Sequence, residues 1–101
     1  MTNASEIERL KREFLEYLEI EKGSALRTIE NYEHYLTKIF EFMKAKVVGD
    51  INDDSIREFR LALNRKLTRS KEPVSKKTQN YYLIALRAFL KYLTKRDIKA
   101  L

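Results

Sequence analysis

The sequence has no cysteine and no tryptophan, one proline, two glycines and one histidine in 101 residues. Without cysteine there is no disulfide framework, no iron–sulfur cluster and no thiolate zinc site. A single histidine, His34, supplies no His-pair metal motif and leaves a Ser-His-Asp triad without support. Gly23 and Gly49 are isolated, so no glycine-rich loop is present to cradle a phosphate. So little glycine and proline also excludes collagen-like, linker-like and low-complexity chains. No apolar run approaches the roughly 18 residues of a membrane span, and the start carries no signal-peptide pattern. The expectation is one soluble, cytoplasmic domain over residues 1–101, with no cofactor, no metal, no small-molecule substrate and no membrane partner.

What is present is apolar spacing of helical period. Hydrophobic residues make up 44% of the chain, enough for one core. Ile7, Leu10, Phe14, Tyr17 and Leu18 form one buried stripe. Asn3 or Ser5 can cap that helix and Gly23 can end it, which predicts helix 1 over about 4–22. Ser24 is the expected N-cap of helix 2, about 25–45, with a stripe from Ile29 to Met43. Val47 to Ile51 is too short and partnerless for a strand, and reads as a connection with apolar anchors. Asn52 or Asp53 caps helix 3, about 53–68, on Ile56, Phe59, Leu63 and Leu67. A polar loop containing Pro73 follows. Ser75 then caps helix 4, about 76–96, whose stripe is Tyr82, Leu86, Phe89, Leu90 and Leu93. Ile84, Ala85 and Ala88 widen that stripe and predict a central helix. Helices 2 and 4 also share a pattern: Thr28, Tyr32, Leu36, Ile39 and Phe40 recur as Thr78, Tyr82, Leu86, Phe89 and Leu90. This predicts two helices that present their N-termini alike.

Charge is segregated. Residues 1–59 hold 9 basic and 13 acidic side chains; residues 60–101 hold 12 basic and 2 acidic. A segregated basic half creates a directional field whose commonest target is a polyanion. No catalytic constellation accompanies it: the carboxylates of helix 1 lie on its polar face beside Lys11 and Arg12, as on an ordinary solvated helix. Core packing is the reading for Tyr17, Tyr32, Tyr82 and Tyr92, whereas Tyr35 and Tyr81 lie off the stripes. The polar faces say more. Arg27, Thr28 and Asn31 lie near the start of helix 2. Lys76, Lys77, Thr78, Asn80 and Tyr81 crowd the start of helix 4, with Arg87 farther along and Arg69 and Lys71 in the loop before it. Lysines at a helix N-terminus oppose the dipole, and a bound phosphate would reconcile the two. Ser24, Ser75, Lys76 and Lys77 are then expected to position the domain on phosphates, and Asn31, Lys77 and Tyr81 to approach base edges. A small basic helical protein–protein interaction domain is the alternative, separated by the salt dependence of duplex binding.

The stretches Phe14-Leu15-Glu16-Tyr17-Leu18 and Gly23-Ser24-Ala25-Leu26-Arg27-Thr28-Ile29-Glu30-Asn31-Tyr32 resemble the opening of a phage-integrase or Xer-type tyrosine recombinase. Ser75-Lys76-Lys77-Thr78-Gln79-Asn80-Tyr81-Tyr82 with Leu86-Arg87-Ala88-Phe89-Leu90-Lys91-Tyr92-Leu93 is similar to the last helix of the same N-terminal core-binding, or SAM-like, domain. The resemblance spans about residues 6–97. It implies an all-α four-helix bundle forming half of a clamp on double-stranded DNA, with the second and fourth helices approaching the major groove. It also implies that the catalytic residues belong to a separate C-terminal domain, and none of the six tyrosines here falls at the nucleophile's place. The chain by itself is therefore expected to bind DNA, not to be an enzyme, and to be monomeric, its parent assembling on DNA during recombination or integration.

Overall fold

The computed structural model describes residues 5–65 and 75–97. Within them are four α-helices and no strand: α1 (Glu6–Ile20), α2 (Leu26–Met43), α3 (Asp53–Asn64) and α4 (Lys76–Lys95), with a single 3-10 turn at Val48–Asp50. The fold is all-α, as the apolar spacing predicts.

Most boundaries follow from local chemistry. The Ser5 hydroxyl accepts the Glu8 N–H at 3.2 Å and starts α1. Gly23, at φ +60, takes the left-handed conformation that lets the chain leave α1. The Ser24 N–H then turns back to the Leu18 carbonyl at 2.9 Å. That bond ties Ser24 to the end of α1. The N-cap of α2 is Ala25, which has no side-chain cap, so the predicted Ser24 cap is wrong. The shared spacing of α2 and α4 already held the reason: a shift of 50 residues aligns Ser75 with Ala25, not with Ser24. α2 ends at Met43, two residues early, because Lys44 adopts a left-handed φ of 53°, and the Ala45 N–H closes onto the Phe40 carbonyl. Asn52 and Ser55 form a reciprocal capping box that starts α3. α3 stops at Asn64, four residues short of expectation. The predicted loop and Pro73 lie outside the described residues.

α1 and α2 run antiparallel. The Ile7 N–H donates to the Lys46 carbonyl, and the Glu6 carboxylate accepts the Val48 N–H at 2.8 Å. Val48 and Ile51 anchor the connection in the core, while Val47 is exposed. Phe14 is the hub, its ring 5.7 Å from Phe89, 5.5 Å from Tyr92 and 6.0 Å from Tyr32. Aromatic pairs of this kind add about 0.5–1.5 kcal/mol each beyond their buried area. Phe40 meets Phe89 from α2, and Phe59 of α3 meets both Phe42 and Tyr82. α2 packs against all three other helices and shares the centre with α4, the helix expected to be central. Ile84 departs from the predicted stripe: it is 42% exposed, on the outer side of α4. Lys11 departs the other way. It is 9% exposed, and its ammonium donates to the Thr37 hydroxyl at 3.0 Å, with Glu8 at 3.5 Å. Its long stem covers apolar surface and its charge keeps a polar partner, the condition for burying a lysine at all.

Candidate nucleic-acid interface

α4 has no carboxylate along its 20 residues. At its start the Ser75 hydroxyl accepts the Thr78 N–H at 3.2 Å and donates to the Thr78 hydroxyl at 3.1 Å. Thr78 is thus engaged in the cap. Lys76 and Lys77 flank it, both exposed. The first turn of α2 also lacks an acid, and its opening N–H groups have no side-chain cap. Such groups favour anions.

The Tyr35 ring lies 6.2 Å from Tyr81 and 4.9 Å from Tyr82. Tyr35, off the predicted stripe, is half-buried because it fills the seam between α2 and α4. This seam joins two rows of the expected site. Asn31 precedes Tyr35 by one turn on α2, and Lys77 precedes Tyr81 by one turn on α4. Arg27, Thr28 and Asn31 are exposed, as are Lys77 and Tyr81. His34 is exposed too, with its ring against Tyr35 at 5.5 Å.

Other expected residues go elsewhere. Lys76 and Asn80 turn to the opposite flank of α4. They line a groove of about 440 Å³ with Arg57, Arg60 and Asn64 of α3, over Leu61 and Leu83. Arg87 is exposed, two turns beyond Asn80 on the same row. Ser24 sits at the end of α1, and Arg69 and Lys71 lie outside the described residues. Sequence reasoning missed Arg57 and Arg60. A charge count divided at residue 59 assigns Arg57 to the acidic half. The signal was present as Arg57, Arg60 and Asn64 at 3–4 spacing, away from Phe59 and Leu63.

At the far end of α4 the cations are already engaged. The Lys95 ammonium donates to the Tyr17 hydroxyl at 3.2 Å, and Arg96 donates to the Tyr92 hydroxyl at 2.7 Å and to Glu13 at 3.4 Å. The Lys95 hydrogen bond, reinforced by the positive charges of Lys22 and Lys95, holds the Tyr17 hydroxyl below the ordinary tyrosine pKa. Burial, aided by Tyr35, raises that of Tyr82. Among the described residues there is no group of three His, Asp or Glu side chains placed to hold a metal, and no helix is long and apolar enough to cross a membrane.

Residues 12–97 match the family model for the phage integrase N-terminal SAM-like domain, and the chain belongs to that family. It is also similar to a tyrosine recombinase XerC from Anoxybacillus flavithermus, 32% identical over 87 residues. The match covers 84% of this chain and 27% of that relative, so the chain spans about a quarter of the relative's length. No solved structure matches the chain significantly.

Proposed function

We propose that the chain is a duplex-DNA-binding module of a site-specific tyrosine recombinase, non-catalytic in itself, and one half of a clamp completed by another domain. It acts in the cytoplasm and is monomeric off DNA. The observation that carries this reading is a 20-residue helix with no carboxylate and two exposed lysines at its N-terminus. Those lysines oppose the helix dipole in the free protein, and a phosphate at the same end is attracted by both. Family membership supports the same reading. Arg27, Thr28 and Asn31 of α2 and Lys76, Lys77, Asn80, Tyr81 and Arg87 of α4 contact the duplex, with Ser75 holding the end of α4 in place. Thr78 serves this surface through the cap. Ser24, Arg69 and Lys71 complete the proposed set.

Fluorescence anisotropy with a labelled duplex tests this. Half a clamp should bind random duplex with a Kd of about 10⁻⁴ to 10⁻⁶ M at physiological salt, weakening steeply as salt rises. No covalent adduct with DNA should form. Nanomolar binding to random duplex at that salt would contradict the half-clamp. Absence of duplex binding at low salt would overturn the reading and favour the protein-interaction alternative. The Asn31→Ala change should blunt sequence preference more than it weakens total binding.

A further inference from the structure

From the groove between α3 and α4 we infer a second phosphate anchor: Arg57 and Arg60 of α3 grip the sugar–phosphate strand on the side of α4 away from α2. This rests on the DNA-binding reading and adds to it a strand contact from a third helix.

Three cations from two helices, Arg57, Arg60 and Lys76, line this groove, and no carboxylate does. Among the described residues none of the three has an ion-pair partner, whereas Arg9, Lys11 and Arg96 each do. The nearest acids of α3 lie off the groove. Asp53 and Asp54 occupy its first turn, and Glu58 lines a different face with Phe42. Three like charges that line one groove with no carboxylate in it and no ion pair repel one another, and a shared anion relieves that repulsion. Arginine suits such an anion because its planar fork can give two parallel hydrogen bonds to phosphate. Asn64 and Asn80 add neutral amide donors in the same groove.

The placement selects a polymer over a free anion. The first two turns of α4 form a ridge, with the Tyr81–Tyr35 seam on one flank and the Arg57–Arg60 groove on the other. A helix with its side chains is about 10–12 Å across, and the major groove is about 12 Å wide. When α4 enters that groove, its two neighbours come to lie over the two bordering strands. α2 then carries Arg27 to one strand, and α3 carries Arg57 and Arg60 to the other.

The test measures duplex affinity against salt for the 101-residue chain, for Arg57→Gln/Arg60→Gln, and for Arg9→Gln/Arg12→Gln as a control removing the same charge from α1. Thermal melts of all three establish that the exposed substitutions leave the fold intact. The α3 pair should lose about 10- to 100-fold in affinity near 0.1 M salt, and its log–log salt slope should become shallower by about 1.8, the value for two lost phosphate contacts. The control should change both far less. Inorganic phosphate at millimolar concentration should not compete, because the anchor recognises a strand rather than one anion; strong competition overturns the strand contact. If the wild-type chain binds duplex and the α3 pair behaves like the control, the anchor is wrong and the DNA reading stands. A loss of affinity with an unchanged slope also overturns it, since lost packing would then be the cause. If the wild-type chain binds no duplex at low salt, both fall.

Discussion

At the start of α4, Lys76 and Lys77 stand exposed, Lys76 beside Arg57 and Arg60 in a groove between α3 and α4 that no carboxylate lines. At its end, Lys95 and Arg96 are bound to Tyr17, Tyr92 and Glu13. A second groove there, of about 400 Å³, is lined by Glu13, Glu16 and Glu21 as well as by those cations. One helix thus carries cations at both ends with different local partners. Those at the end are taken up by Tyr17 and Glu13 of α1 and by Tyr92 of α4 itself. Of those at the start, Lys76 meets α3, whose acids lie in its first turn and on another face. Formal charge along the chain therefore overstates the positive surface at one end of α4 and understates it at the other.

The largest expected effect removes what both ends share. Phe89 is fully buried where α1, α2 and α4 meet. Phe89→Ala should cost about 3–5 kcal/mol, a large part of the about 5–15 kcal/mol that holds a domain folded. A chemical melt indistinguishable from the parent's would show that α4 is not the shared spine. Leu86→Ala should cost about 2–5 kcal/mol for the same reason.

Next in size is the contrast between the ends. Lys76→Glu/Lys77→Glu should remove most duplex binding and leave the melting temperature nearly unchanged. Lys95→Gln/Arg96→Gln should do the reverse: a small drop in melting temperature, as expected for exposed pairs, with little effect on binding. Equal losses of binding from both pairs would mean that diffuse charge holds the DNA, and the comparison would fail.

A smaller effect sharpens the chemistry of the far end. Followed by ultraviolet absorbance, one tyrosine should ionise below the ordinary value of 10.0 and another above it. Tyr17→Phe should delete the early step and leave the late Tyr82 step in place. Lys95→Gln should move the early step up, because it removes the principal hydrogen bond to the Tyr17 hydroxyl.

The smallest effect lies away from both ends. The Lys46 and Val47 N–H groups donate to the Asp50 carboxylate and hold its pKa below 3.8. A lowered carboxylate pKa contributes stability above the unfolded value and loses it as pH falls through the folded one. The melting-temperature gap between the wild type and Asp50→Asn should therefore be full above about pH 5 and close as pH drops below 4. A gap that stays constant through that range would remove the two N–H bonds as its cause.

Much of the fold was legible because helix signals are local. The stripes of α1 to α4, Gly23 in the left-handed conformation, and the caps at Ser5, Asn52 and Ser75 each depend on residues within a turn or two of one another. The errors mark where a local signal had two uses. Ser24 has the right chemistry for a cap, but its N–H closes α1, and α2 begins after Ala25. Ile84 is apolar and near the stripe, but its direction falls outside the arc that α1 and α2 cover. Lys11 looks like any surface lysine until α2 brings Thr37 over it.

By itself, the sequence determined four amphipathic helices, their order, most of their core residues, and an excess of positive charge toward the C-terminal side. Periodicity and capping are short-range properties that survive without neighbours. Which cations remain unpaired was decided only by the tertiary structure. Coulomb interaction falls with distance in space, and partners such as Lys95 and Tyr17 are 78 residues apart in the chain yet 3.2 Å apart in the fold. The same packing brings Arg57 and Arg60 beside Lys76 and sets Tyr35 against Tyr81, so the two flanks of α4 exist only once α2 and α3 have docked.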